Sequence, residues 1–278
     1  EVDATRSGKN NEVAIQWFEA RLNQVLEQLE EQFNQYRLSE ALMSVYKLVW
    51  DDFCSWYLEM VKPPFGDPID ESTYKASINF LERLFKILHP FMPFITEELW
   101  HEIGERKDGD CIIVADYPVI NKVNAQLLND FEVVAELVTQ VRNIRNSKQI
   151  SPKEALPLAI KTSDAAKYHL FENTIVKLAN LSAMDFVADK LEGATGFIIK
   201  QDEFFVDLGD NIDVDAERSR IQQELEYTKG FLKSVMAKLS NEKFVANAKP
   251  EVVASEKKKQ EDAEGKIKLL EDSLMKLA

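Results

Sequence analysis

The sequence is poor in the residues that make chemistry easy to find. Among 278 residues there are two cysteines, Cys54 and Cys111, and three histidines, His89, His101 and His169, all far apart. Such a set supports neither a disulfide framework nor a cysteine- or histidine-based metal site. A reducing, cytoplasmic setting fits it best. No apolar run approaches the ~20 residues that span a bilayer, and the polar stretch EVDATRSGKNNE has no secretory-signal character, so no membrane partner is expected. Positive charge is short as well. With 34 basic and 48 acidic residues the formal charge is −14, the opposite of a generic nucleic-acid binder. No catalytic constellation stands out either. Asp51 and Asp52 suggest a carboxylate pair, but neighbours on a helix point about 100° apart and do not converge.

What is present is helical periodicity in a chain that is 45% hydrophobic, enough for a real core and two or three modules. Trp17, Leu22, Val25, Leu26, Leu29 and Phe33 recur at three- and four-residue steps. A second run follows from Leu38 through Ala41, Leu42, Val45, Leu48, Val49, Phe53, Trp56 and Tyr57. It stops at KPPFGDP, where the prolines remove amide donors. A third helix is predicted over DESTYKASINFLERLFKIL with Ile78, Leu81, Leu84, Phe85 and Leu88 inward, and a fourth over ITEELWHEIG. Between them LHPFMPF reads as a corner in an antiparallel bundle, with His89 structural. The aromatics Trp50, Phe53, Trp56, Tyr57 and Trp100 fall at helical spacing, and most of them are expected in the core.

CIIVADYP is predicted to be a short extended segment. A long helix then carries Leu127, Leu128, Phe131, Val134, Leu137, Val138, Val141 and Ile144. It ends with Arg142 and Arg145 on one face, which reads by default as solvated charge. LPLAIK, MDFVAD, GFIIK and EFFVDL are strand-like, around a helical AAKYHLFENTIVKLAN. The last segment alternates by threes and fours from Val214 through Ile221, Leu225, Thr228, Leu232, Val235 and Leu239, broken once by Arg218. The alternation resumes after KFVANAKP with Val253, Glu256, Gln260, Ala263, Ile267, Leu270, Leu274 and Leu277. Two such seams predict an antiparallel coiled-coil hairpin. The expected architecture is therefore mostly α: an antiparallel helical bundle (1–120), a small α+β module (121–210) and the hairpin (211–278). Charge divides along the same lines. Residues 1–120 carry 11 basic and 22 acidic groups, 121–210 carry 10 and 13, and 211–278 carry 13 and 13. The hairpin is the better electrostatic candidate for an anionic partner.

LHPFMPFITEELW, with the upstream YRLSEAL and VWDDFCSWYLEMVK, resembles the anticodon-binding helical bundle of the class Ia aminoacyl-tRNA synthetases for valine, isoleucine and leucine. KLSNEKFVANAKPEVVASEKKK resembles the tip of the C-terminal arm in the valyl family. The resemblance runs over nearly the whole chain. No HIGH-like or KMSKS-like motif is found, and the Asn-, Trp-, Arg- and Phe-rich helix that opens the family's bundle is missing. The resemblance therefore implies a C-terminal piece without a catalytic domain. ATP and magnesium would belong to the rest of the synthetase, present in cis, and no cofactor or independent activity is expected here. It implies tRNA(Val) as partner and a monomeric state. In the family, basic residues on the arm meet the tRNA elbow. Aligning KFV to VVASE carries that role onto Lys257, Lys258 and Lys259, with Lys259 the best positional match. On the outgoing helix the family's basic position falls at Ser234, with Lys233 beside it. On the bundle and the connecting module, Arg37, Lys47, Arg142 and Arg145 are the candidate RNA contacts. Two other readings are a coiled-coil interaction scaffold without RNA binding and the equivalent region of an isoleucine or leucine enzyme.

Overall fold

The computed structural model describes residues 1–189, 191, 193–208, 214–240, 256–260, 263–265, 267 and 271. Two compact units emerge, residues 1–146 with 151–207, and residues 147–150 with 208–278.

In the first unit, α1 (Glu12–Asn34) buries Trp17, Phe18, Leu22, Val25, Leu26 and Leu29, the face expected from spacing. It is ended by Tyr36, held at φ +58°, while the Arg37 amide reaches back to the Gln32 carbonyl. α2 (Leu38–Lys47) then runs into a π-helical stretch (Leu48–Tyr57) and a last turn, α3 (Leu58–Val61). The sequence predicts one continuous α-helix here, and the difference has a local cause. The buried positions Ala41, Val45 and Leu48 step by four and three, but the next, Phe53, is five residues on. The wider π turn absorbs that extra residue and keeps both halves facing the core. Phe18 fills the centre, its ring centroid 4.9 Å from Phe80, 5.1 Å from Tyr57 and 5.2 Å from Phe53. Trp50 departs from the aromatic-core expectation: it is 61% exposed and stacks on Tyr46.

Strand β1 (Val2–Asp3) pairs in parallel with β2 (Ile69–Asp70), which leads into α4 (Glu71–Leu88). The Asp70 side chain caps α4 by accepting from the Thr73 amide at 2.8 Å. α4 turns deeper than predicted. Phe80, Leu84 and Ile87 are its most buried apolar residues, while Ile78, Leu81 and Leu88 are half-buried. The corner follows, with Pro93 opening α5 (Pro93–Glu102) as its first residue. His89 and Thr96 lie 2.8 Å apart across it. Since Thr96 gives its own hydrogen to the Met92 carbonyl, His89 Nδ1–H is the donor. The expected extended segment at CIIVADYP is instead a 3-10 turn over Ile112–Val114. Ile112 is buried with Phe85 and Trp100, and its amide bonds the Glu97 carboxylate, which favours a tight turn over a strand there.

Long helix α6 (Ala125–Ser147) joins the bundle to the α+β part through Phe131, 4.1 Å from Trp17 and 5.5 Å from Phe171. Next come β3 (Leu156–Lys161), α7 (Ala166–Leu170), α8 (Glu172–Ala179), β4 (Leu181–Phe186), β5 (Thr195–Ile199) and β6 (Asp202–Val206). The sheet order is β4-β3-β6-β5, with β3 and β4 parallel and the other pairs antiparallel. Two helices between β3 and β4 supply the crossover that a parallel pair needs. Buried Asp202 ties the sheet to α7, accepting from Thr162 (2.6 Å) and Tyr168 (2.5 Å) and pairing with Lys167 (2.8 Å).

In the second unit, α9 (Val214–Leu239) buries Leu225, Thr228 and Val235, with Leu232 and Leu239 half-buried. Residues 256–260 are helical, with Glu256 and Ala263 buried and Gln260 and Ile267 half-buried. Lys229 pairs with Glu271 at 2.9 Å and Lys238 with Glu256 at 3.6 Å. The KFVANAKP turn, Val253, Leu270, Leu274 and Leu277 lie outside the described residues, as do the side chains of Val214, Arg218 and Ile221.

Candidate nucleic-acid interface

Four cations proposed on the first unit have different fates. Arg37 is exposed at the start of α2 and pairs with Glu40 at 3.6 Å, a surface pair one turn apart. Lys47 is exposed, with no ion-pair partner among the described residues. Arg142 is exposed but donates from Nε and Nη2 to the Leu178 carbonyl at 3.2 and 3.0 Å. Arg145 corrects the sequence expectation of solvated charge, being only 5% exposed. Its Nη1 donates to the Ser151 and Glu154 carbonyls at 3.4 and 2.6 Å, and its Nη2 to those of Ala179 and Asn180 at 3.1 and 2.7 Å. The two arginines do share one face of α6, as their spacing requires. That face meets the C-terminal end of α8, where unpaired carbonyls and the negative end of the helix dipole favour a cation. Burial pushes the Arg145 pKa down, partly countered by Glu154, yet a guanidinium stays charged. Arg145 therefore organises backbone and is not presented to a phosphate.

Lys177 does similar work and escaped the sequence reading. From α8 its Nζ donates to the carbonyls of Met60 and Lys62 at the end of α3, at 2.9 and 2.5 Å, bolting the module to the bundle. Its partners lie more than a hundred residues away, so no local pattern announces it.

On the second unit, Lys233, Lys257, Lys258 and Lys259 are all exposed. Lys259 donates to Glu256 Oε1 at 2.7 Å, while Lys238 approaches the other oxygen of the same carboxylate at 3.6 Å. Lysines from two helical segments are thus gathered on one buried acid, whose pKa is lowered chiefly by the Lys259 hydrogen bond, with Lys238 adding to it. The sequence reading omitted Lys238. Its signal was its place next to seam residue Leu239. The arrangement presents exposed ammonium groups around a single paired carboxylate. Among the described residues no three His, Cys, Asp or Glu side chains cluster as a metal site, and no helix is long and apolar enough to cross a membrane. Asp51 is exposed, while Asp52 pairs with Arg21 at 2.9 Å, so the two carboxylates do not converge.

Comparison with known proteins gives two family matches. Residues 16–160 match the anticodon-binding domain of tRNA ligase, and residues 213–278 match the valyl tRNA synthetase tRNA binding arm. Valine–tRNA ligase of Christiangramia forsetii is 46% identical over 266 residues, covering 96% of this chain and 30% of the relative. That of Parabacteroides distasonis is 47% identical, covering 95% of this chain and 30% of the relative. That of Enterococcus faecalis is 33% identical, covering 90% and 29%. The chain thus spans about 30% of the length of these relatives.

Proposed function

The chain belongs to the anticodon-binding domain family of the tRNA ligases, and from that premise we infer that it is the tRNA-recognition part of a valine–tRNA ligase. The bundle binds the anticodon stem-loop and the arm binds the tRNA elbow. Bond chemistry, with its ATP and magnesium, belongs to a catalytic part acting in cis, and this chain by itself catalyses nothing. We assign the bundle to 1–120, the connecting module to 121–210 and the arm to 211–278. The whole works as a cytoplasmic monomer on tRNA(Val).

The observation that carries this reading is the exposure of Lys233, Lys257, Lys258 and Lys259 in a segment of balanced charge, within a chain of net charge −14. A non-specific RNA binder would be basic throughout, whereas here cations are offered locally. The arm as an antiparallel hairpin is supported by two pairs in opposite chain order, Lys229–Glu271 and Lys238–Glu256, and by the seam of Leu225, Thr228, Val235 and Ala263. A larger polypeptide is supported by an uncovered apolar ridge on α2 and the π stretch. Leu38, Leu42, Met43, Tyr46 and Trp50 are all exposed there, a patch that soluble surfaces normally keep covered.

The test is binding of a valine tRNA transcript against a non-cognate one over a salt series. Phosphate neutralisation requires log affinity to fall linearly with log salt. Saturable binding with that slope and a preference for the valine transcript is expected. Flat salt dependence, or equal binding of both RNAs, would overturn the reading, as would valine-dependent pyrophosphate exchange by the chain alone.

A further inference from the structure

We propose that Lys177 and Arg6 are positioning residues for tRNA binding: the two cations clamp the loop of residues 62–70 from opposite ends and so fix where the bundle presents Phe65. The proposal rests on the tRNA-binding reading above and adds a task for α8, which holds a loop of the bundle in shape. Lys177 meets the front of the loop, donating to the Met60 and Lys62 carbonyls at 2.9 and 2.5 Å, where the end of α3 leaves carbonyls without helical partners. Arg6 meets the back, donating from Nη1 to the Pro68 carbonyl at 2.9 Å and from Nη2 to the Asp67 carboxylate at 3.2 Å. Between the clamps the Asp67 amide bonds the Pro64 carbonyl at 3.0 Å, and Gly66 supplies the φ of +89° that this turn needs.

Packing contributes little to the loop, whose residues 64–67 are all exposed. A cleft of about 440 Å³ separates it from α8, lined by Pro63, Pro64 and Pro68 on one side and by Asn173, Thr174 and Lys177 on the other. The loop thus spans a gap, and polar contacts at its two ends hold it. At its tip Phe65 is fully exposed, more so than any other large apolar side chain among the described residues. Such a ring buries nothing in the free chain, so a stiff loop around it brings no packing there. What stiffness does is remove the ordering cost that a partner would otherwise meet on contact. The clamping donors are aimed at carbonyls and at Asp67, so the two cations act through Phe65 and not on a phosphate.

The experiment uses the full chain and a valine tRNA transcript, reading affinity across a salt series and, without RNA, the rate at which chymotrypsin cuts after Phe65. Lys177→Met should weaken binding about fivefold and Arg6→Met, at a more exposed site, about threefold. The salt slope should not change in either, because order and not a phosphate contact is lost. Both should be cut faster at Phe65. Lys177→Arg keeps donors for the two carbonyls and should bind within about twofold of the parent. Phe65→Ala should weaken binding about tenfold, and Lys177→Met added to it should cost at most about twofold more, since the clamp then has nothing to present. Circular dichroism checks that the helices persist, and Arg6→Met carries the test if Lys177→Met unfolds. If the parent chain fails to bind tRNA, the underlying reading falls and the clamp's role with it. If the parent binds and the methionine variants or Phe65→Ala bind equally well, the proposal is wrong while the reading stands. A slope lowered by about one in Lys177→Met would make that lysine a phosphate contact and end the proposal. Additive losses in the double variant, or unchanged cutting at Phe65, would also overturn it.

Discussion

Arg145 on α6 and Lys259 beside the arm seam are both cations on helices, and the two units use them in opposite ways. Arg145 is buried and donates four hydrogen bonds to carbonyls from two separate stretches of chain. Lys259 is exposed and makes one short contact to a residue three positions away. The planar, forked guanidinium suits the first task, since it satisfies several fixed acceptors at once. The flexible ammonium suits the second, since it exchanges partners at little cost. In the first unit the buried cation holds backbone, and in the second the cations stay at the surface, paired with carboxylates or exposed. On the proposed function, the acidity of residues 1–120 opposes RNA binding less than its total suggests, because the exposed lysines of the second unit lie outside that segment.

This contrast is sharpest where removing a charge should cost stability alone. Asp202 offers the largest effect. Burial pushes its carboxyl up, but the hydrogen bonds from Lys167, Thr162 and Tyr168 outweigh this and leave its pKa below the ordinary carboxylate value. A lowered folded-state pKa contributes stability that is present above the unfolded value and is lost as pH falls through the folded one. Acid unfolding of the sheet should therefore begin as pH drops below about 4. Asp202→Asn should cost about 3 kcal/mol at neutral pH by leaving the Lys167 ammonium unpaired. Urea titrations of parent and variant at pH 7 and pH 3 check this, and the gap between them should shrink at pH 3.

Arg145→Met comes next, with about 2–3 kcal/mol lost as buried carbonyls are left without donors. The affinity of the folded variant for tRNA should be unchanged. A drop in affinity at full stability would return Arg145 to the RNA interface and break the contrast. Lys259→Glu should do the reverse. We expect about a tenfold weaker complex, a salt slope lower by about one unit, and only a small loss of stability in the second unit, since Glu256 keeps Lys238 but loses its Lys259 hydrogen bond. Lys257→Glu and Lys258→Glu should have smaller effects, because they lie about 100° and 200° round the helix from Glu256 and do not meet the same phosphate. The smallest effect is expected for His89→Gln, about 1 kcal/mol of stability with tRNA affinity intact, because the ring bonds the Thr96 hydroxyl that closes the corner. Unchanged stability with lost affinity would show that the corner touches RNA.

Much of this was legible in the chain because it is local. The spacing of Leu225, Thr228, Leu232, Val235 and Leu239 is a property of consecutive residues on one helix, and the structure buries Leu225, Thr228 and Val235 and half-buries Leu232 and Leu239. The faces of α1 and α6 follow for the same reason. The five-residue step from Leu48 to Phe53 was also in the sequence, but it reads as noise until the π turn gives it a geometry. The 3-10 turn at Ile112 was not legible, since β-branched residues suit strands and only the Glu97 carboxylate fifteen residues earlier favours a turn.

The sequence by itself determined where the long helices run, most of their apolar faces, the separation of acidic and balanced segments, and the family, because each of these depends on residue order and spacing. Tertiary structure alone decided what each charge does. Arg142 and Arg145 share a face by spacing, but that this face meets the end of α8 depends on carbonyls about 35 residues further along. Lys238 and Lys259 become neighbours only because the seam places Glu256 between them. A charge has no periodicity that reveals its partner: the energy of an ion or a hydrogen bond is fixed by distance and burial, and chain folding sets both.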